Sequence, residues 1–208
     1  MEVGGPVEQL TTAARDRAWC VFFDRDGTLN NHVLRGGRRT SPRHTQEWTA
    51  LPGVQECFAQ LRAAGALIAL FTNQPDLSRG LLDRSTLARM HRRLGRLDGV
   101  YVCSHSARNR CRCRKPSSVL LRQAAADLSL DLAGSYLVGD RPTDAQAGLN
   151  AGCTAVLLSP RTPPRASTVT GVHYAPDLLA AARSVLRHRH SRTAPHVRGI
   201  PSPKESAR

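Results

Sequence analysis

The 208 residues suffice for one α/β domain with tails, and an apolar fraction of 40% with only 4% aromatics calls for a core of Leu, Val, Ile and Ala. No run approaches the roughly 18 apolar residues of a membrane span; Met1 to Arg17 has no apolar stretch and carries Glu2, Glu8 and Asp16, so no signal peptide is expected and a cytoplasmic protein is the expectation. The net charge of +14 admits a nucleic-acid ligand, yet no arginine run is interleaved with base-stacking aromatics, which favours a small anionic substrate.

Residues 1–17 are expected to form an N-terminal extension. Ala18 to Phe23 is an apolar run ending at Asp24, the pattern of a buried parallel strand. Residues 29–50, with Gly36-Gly37, Pro42 and four arginines, are expected to form a long irregular loop. Pro52-Gly53 opens a helix carrying Val54, Cys57, Phe58 and Leu61, closed at Gly65. A second strand, Ala66 to Phe71, ends at Thr72-Asn73, and a polar-faced helix follows from about Ser85 to Leu94. Val100 to Cys103 is a short third strand, and Ser117 is placed to cap a helix carrying Val119, Leu121, Ala124 and Leu128. Tyr136 to Val138 is a fourth strand ending in Gly139-Asp140; Thr143 or Asp144 opens a helix through Asn150, and Thr154 to Leu158 is a fifth strand. Asp177 to Leu186 reads as the last helix, with the domain spanning 18–188 and a basic, disordered tail over 189–208.

Strands alternating with helices define an α/β fold, a Rossmann-like three-layer arrangement on a mostly parallel sheet, with ligands at the carboxyl ends of the strands. Those ends carry Asp24, Asp26, Thr72, Asn73, Cys103, Asp140 and Asp144. A carboxylate beside Mg²⁺ can attack phosphorus, and a second can protonate the leaving alkoxide and then deprotonate the hydrolytic water. Asp24 and Asp26, two residues apart before Gly27, fit that pair, and Asp140 would complete an oxygen-ligand site. A plain turn is the alternative; a calcium loop would need further acids, and residues 27–35 contain none. Thr72 and Lys115 offer a hydroxyl and an ammonium for the non-bridging phosphoryl oxygens, though each alone also fits a strand-end cap and a solvated lysine.

Cys103, His105, Cys111 and Cys113 form Cys-X-His-X5-Cys-X-Cys, a ligand set for a closed tetrahedral Zn²⁺ site. Crowded cysteines in a chain without an export signal favour metal over disulfides. Zinc there would be structural, bracing the loop 103–113 and holding Arg114 and Lys115 in place.

Four segments in order, Asp24-Arg25-Asp26-Gly27-Thr28, Thr72-Asn73-Gln74, Arg114-Lys115-Pro116 and Gly139-Asp140-Arg141-Pro142-Thr143-Asp144, resemble the motifs of the haloacid dehalogenase-like (HAD) phosphatases over about residues 19–159. The resemblance implies Asp24 as nucleophile and Asp26 as acid/base. It implies Mg²⁺ held by Asp24, the Asp26 carbonyl and Asp140, with Thr72 and Lys115 on the phosphoryl group. Asp144 would support the metal or orient Lys115. The cysteine pattern before Arg-Lys-Pro, with Thr-Asn-Gln-X4-Arg79-Gly80, is similar to the zinc-containing branch that includes heptose bisphosphate 7-phosphatases and histidinol-phosphatase domains. No large insertion separates the motifs, so no large cap domain is expected.

Arg35, Arg38 and Arg39, or Arg114 and Arg141, could supply a second anion pocket, with Asn73 beside the substrate; solvated loop arginines are the alternative. A sugar bisphosphate is therefore the expected substrate of a monomer, ahead of histidinol phosphate, since residues 29–46 hold no acid to meet an ammonium. A nucleic-acid end phosphatase and a binding protein on the same scaffold are the other classes; a degenerate scaffold would lack Asp24 or Asp26, and both are present.

Overall fold

A computed structural model describes residues 18–159 and 171–193. The extension 1–17 and the tail beyond 193 lie outside the described residues. In chain order the elements are β1 (Cys20–Phe23), β2 (Val33–Arg35), β3 (Arg38–Thr40), α1 (Val54–Ala63), β4 (Leu67–Asn73), α2 (Arg84–Arg92), β5 (Gly99–Cys103), α3 (Val119–Asp127), β6 (Tyr136–Gly139), α4 (Pro142–Ala151), β7 (Thr154–Leu158), β8 (Val172–Ala175) and α5 (Leu178–Thr193).

Six strands form one sheet in the order β5-β4-β1-β6-β7-β8, every pair parallel. Alternation along β1 explains why its four residues are all buried. Val21 and Phe23 enter a core with Phe58, Leu61, Met90, Leu94 and Val185 under α1, α2 and α5. Cys20 and Phe22 enter the opposite core with Leu121, Ala124 and Ala147 under α3 and α4. The sheet is thus covered on both faces, and β1 lies near its centre with the first motif at its carboxyl end. Among the described residues no helix is long and apolar enough to cross a membrane.

The five expected strands form, and four expectations are corrected. Residues 29–50 are not wholly irregular, because β2 and β3 pair as an antiparallel hairpin, Val33 opposite Thr40 and Arg35 opposite Arg38, turning at Gly36-Gly37. Both turn glycines have positive φ, 56° and 74°, which glycine adopts without a Cβ penalty. A sixth strand, β8, adds to the sheet beside β7. The last helix runs to Thr193, past the expected end of the domain at 188. Ser117 does not cap α3 itself; the cap position is Ser118, and the Ser117 hydroxyl accepts from the Val119 amide at 3.3 Å.

Candidate active site

Parallel pairing delivers the acids to one edge. The Asp24 amide donates to the Val138 carbonyl of β6 at 2.9 Å, which ties the first residue after β1 to the strand that ends before Asp140. Asp24, Asp140 and Asp144 place carboxylate oxygens within 4.8 Å of one another. Glycines make this approach possible. A Cβ on Gly27 (φ 85°) would lie 2.5 Å from Asp140 Oδ2, and one on Gly139 would lie 2.4 Å from the Asp144 Cβ.

Lys115 is buried among these acids. Its Nζ donates to Asp24 Oδ1 at 2.6 Å and to the Phe71 carbonyl at 2.8 Å, and pairs with Asp144 Oδ1 at 2.7 Å. Burial alone would lower the Lys115 pKa, but Asp24 and Asp144 hold it above the ordinary lysine value. Burial pushes Asp24 up to about 6, with Asp144 and Asp26 adding to the rise and Lys115 opposing it. One ammonium against three carboxylates leaves negative charge uncompensated, and Asp140 Oδ1 has no hydrogen-bond partner. That donor set, all oxygen, fits a hard divalent cation such as magnesium. Asp144 pairs with Lys115 and lies in the carboxylate cluster.

The Asp26 side chain takes no part in that cluster. Arg25 forks onto it, with Nε 2.9 Å from Oδ1 and Nη2 3.1 Å from Oδ2. Asn30 Nδ2, Gln74 Nε2 and Ser41 Oγ donate to it at 2.9, 2.8 and 2.8 Å. Burial works to raise the Asp26 pKa, but Arg25 and these donors hold it below the ordinary carboxylate range.

Above the acids opens a cavity of about 550 Å³, lined by Asp24, Asp26, Asn73, Lys115, Arg114 and Arg141 among others. Asn73 also accepts from the Lys115 amide at 3.2 Å. Thr72 sits at the end of β4 but is buried behind this lining, its hydroxyl accepting from Gln74 Nε2 at 3.0 Å. Arg35 is the clear correction. It does not line the cavity, because its guanidinium is held by Glu47, by Thr40 Oγ1 at 2.6 Å and by the Ser41 carbonyl at 2.9 Å. Arg39, Arg43 and Arg79 line the cavity instead, and Arg43 and Arg79 meet the buried Asp76 at 2.8 and 3.2 Å. Gly36-Gly37 was the available signal: a two-residue turn puts Arg35 and Arg39 on opposite faces of the hairpin. His32 was also missed, and its Nε2 lies 3.4 Å from Asp140 Oδ2.

Beside the site, Cys103, His105, Cys111 and Cys113 converge. The three sulfur separations are 3.3, 3.6 and 3.6 Å, and His105 Nδ1 lies 3.3 and 3.9 Å from two sulfurs. A tetrahedral zinc with bonds of about 2.3 Å to sulfur needs sulfurs about 3.8 Å apart, so the cluster fits that ion. Arg114 is tied to this loop by Nη1 donating to the His105 carbonyl at 3.3 Å.

Two buried carboxylates two residues apart and a buried lysine at the carboxyl edge of a parallel sheet, under a basic cavity, fit a class of enzyme that works on phosphate esters. Comparison with known proteins narrows that class. Residues 112–184 match a family profile described as HAD-hydrolase-like. The D-glycero-beta-D-manno-heptose-1,7-bisphosphate 7-phosphatase of Bordetella bronchiseptica is 34% identical over 179 residues, 80% of this chain and 97% of that protein. The Pseudomonas putida protein of the same name is 33% identical, over 66% of this chain and 81% of its own. The crystal structure of the Bordetella bronchiseptica D,D-heptose 1,7-bisphosphate phosphatase, complexed with magnesium and phosphate, superposes with a TM-score of 0.68 at 32% identity, covering 82% of this chain and 99% of that one. This chain belongs to the HAD-like hydrolases, in the family of the heptose bisphosphate phosphatases, and is a phosphatase.

Proposed function

We propose that the chain removes the 7-phosphate of D-glycero-beta-D-manno-heptose 1,7-bisphosphate, through an aspartyl-phosphate at Asp24. The observation that carries the choice of a bisphosphate is the arginine content of the cavity: Arg39, Arg79, Arg114 and Arg141 surround an opening of about 550 Å³, more cationic reach than one phosphate on the floor requires. The names of the relatives support the same substrate.

Asp24, Asp140, Asp144 and the Asp26 carbonyl would hold magnesium, which when bound supplies positive charge that keeps Asp24 ionised and offsets the phosphoryl oxygens. An Asp24 oxygen attacks phosphorus while the bond to the C7 oxygen breaks; Asp26, ionised in the free protein, takes up a proton with the anionic substrate bound and gives it to the departing alkoxide. Asp26, now a carboxylate, takes a proton from water as that water attacks the aspartyl-phosphate. The bond to Asp24 then breaks and inorganic phosphate leaves. Lys115 stabilises the phosphoryl oxygens, and Arg114, Arg141 and Asn73 orient the substrate, while Thr72, behind the lining, braces Gln74. Arg39 and Arg79, in place of Arg35, hold the distal phosphate. Cys103, His105, Cys111 and Cys113 bind structural zinc, which fixes the loop that delivers Arg114 and Lys115.

Phosphate release across a panel tests the reading. Heptose 1,7-bisphosphate should exceed heptose 7-phosphate, histidinol phosphate and a 3′-phosphorylated oligonucleotide by about 10-fold or more in kcat/KM, the loss expected when one charge-assisted phosphate contact is missing. Equal rates on all four, or preference for histidinol phosphate, would overturn it.

A further inference from the structure

We infer that Arg25 is a positioning residue for proton transfer: from beneath the cavity floor, its guanidinium fixes the direction in which the Asp26 carboxylate faces the departing oxygen. The inference rests on the reading of Asp26 as acid and base. Among the described residues Arg25 is the largest fully buried side chain, with 0% of its surface exposed, which is exceptional for a charged residue. Burying an ion pair is a poor way to gain stability, because desolvation of two charges offsets their attraction. A pair retained at that cost, directly behind an acid/base, is explained better by the geometry that it enforces.

The geometry is specific. Nε and Nη2 approach the two Asp26 oxygens at 2.9 and 3.1 Å, and Nη2 is also 2.8 Å from Oδ1, so the planar guanidinium sets the plane of the carboxylate. Asn30 on Oδ1 and Gln74 on Oδ2 fix the two oxygens individually. Of the four residues that donate to Asp26, only Ser41 lines the cavity. Arg25, Asn30 and Gln74 hold the carboxylate from the protein side, so the face that Ser41 covers is the one open to a departing oxygen.

Arg25 is itself anchored at both ends. Its carbonyl accepts from the Leu29 and Asn30 amides at 2.8 and 3.0 Å, closing the turn that brings Asn30 to Asp26. Its Nη1 reaches Met90 Sδ of α2 at 3.9 Å. A lysine would keep the charge, but it lacks the two-point fork and would leave the carboxylate free to rotate.

Leaving-group dependence separates aim from stability. An alkoxide needs a proton as it departs, whereas p-nitrophenolate does not. The single-turnover rate of the first step is measured on the magnesium-loaded full chain with heptose 1,7-bisphosphate and with p-nitrophenyl phosphate. Arg25→Met is expected to slow the sugar substrate by about 100-fold, the low end of what general acid catalysis contributes, and the nitrophenyl burst by less than about 5-fold. Arg25→Lys should fall between Arg25→Met and the parent protein. Gln74→Leu, which keeps the buried guanidinium, should shift the same ratio in the same direction by a smaller factor, and decides the matter if Arg25→Met does not fold. Asp26→Asn is the reference and should show the largest ratio. Equal loss on both substrates in the Arg25 and Gln74 variants, with the ratio intact in Asp26→Asn, would overturn the positioning role. No leaving-group dependence in Asp26→Asn would instead overturn the reading of Asp26, and the inference with it.

Discussion

The acidic floor of the cavity comes from strand ends and the first turn of α4, while its basic rim comes from the segments after β1, β4 and β6 and from the end of the zinc loop. On the floor, parallel register between β1, β4 and β6 sets where Asp24 and Asp140 fall, and burial leaves Asp24, Lys115 and Asp144 few other partners. On the rim, arginines are placed by ion pairs of loop residues, Arg43 and Arg79 both with Asp76. Loop pairs of that kind are exchangeable, whereas a shift of sheet register would move every floor residue. The floor is therefore suited to carry the reaction and the rim to carry the choice of substrate.

The largest expected effects belong to the floor. Asp24→Asn should lower kcat by about 10⁴-fold or more, as loss of a nucleophile does, and Mg²⁺-dependent turnover near the parental rate would break the comparison at once. Lys115→Met leaves Asp24 and Asp144 buried without their ammonium, and should destabilise the metal-free protein by about 3–5 kcal/mol in chemical denaturation. A loss under about 1 kcal/mol would mean that the acids are not held as a buried network.

Beneath the floor, His91 of α2 offers a pH test. Burial, with Arg25 adding, lowers its pKa to about 4 from an ordinary value near 6.5, while Asp26 opposes the shift. Between those values the unfolded chain binds more protons than the folded one, so this contribution to stability is complete above about pH 6.5 and is lost as pH falls toward 4. The full loss is about 3 kcal/mol, at roughly 1.4 kcal/mol per pKa unit. His91→Phe should flatten that part of the stability-pH curve in parallel urea titrations at pH 7.5, 5.5 and 4.5. Curves of equal slope would show that the imidazole is not kept neutral by the fold.

The zinc loop joins floor to rim, since it carries both Lys115 and Arg114. Metal analysis should give about one zinc per chain, and none when Cys111 and Cys113 are both replaced by Ala. Turnover of that variant should fall by about 10-fold or more while circular dichroism remains that of the folded sheet. Full activity without zinc would detach the loop from the site.

Legibility in the sequence follows the same division. The central strands showed as apolar runs because both faces of the sheet are covered, and each ended in a residue of the floor. What escaped was held by contacts distant in sequence. The helix α5 continues past Leu186 through residues whose composition suggests disorder. There His188 Nδ1 lies 2.9 Å from the Tyr136 hydroxyl, and the Arg189 guanidinium sits 4.1 Å from the centre of the Trp19 ring. Val172–Ala175 has no clear alternation and becomes a strand because β7 offers it an edge. Arg25 is fully buried, paired with Asp26 and reaching Met90 of α2, and the sequence offered no signal for that burial. The misplacement of Arg35 has the same origin, since only the hairpin register decides which arginines face the cavity.

The smallest expected effects are on the rim, where the comparison is sharpened rather than broken. Arg141 lines the cavity and has no ion-pair partner among the described residues, so Arg141→Ala should raise KM for the bisphosphate by about 10-fold, the value of one lost charge-assisted contact. Its kcat should change much less, because the residue does not touch the reacting atoms in this reading. Arg35→Ala should leave KM within about 2-fold, because the guanidinium does not line the cavity and is already engaged by Glu47, Thr40 and the Ser41 carbonyl. Its cost is to the hairpin, under about 1 kcal/mol for a partly exposed pair, read as a small shift in Tm. Steady-state kinetics of the two variants side by side decides the matter. If Arg35→Ala raises KM as much as Arg141→Ala, the hairpin turns its other face to the substrate when it binds. Arg35 would then rejoin the rim, and the boundary drawn between the two faces of the hairpin would move.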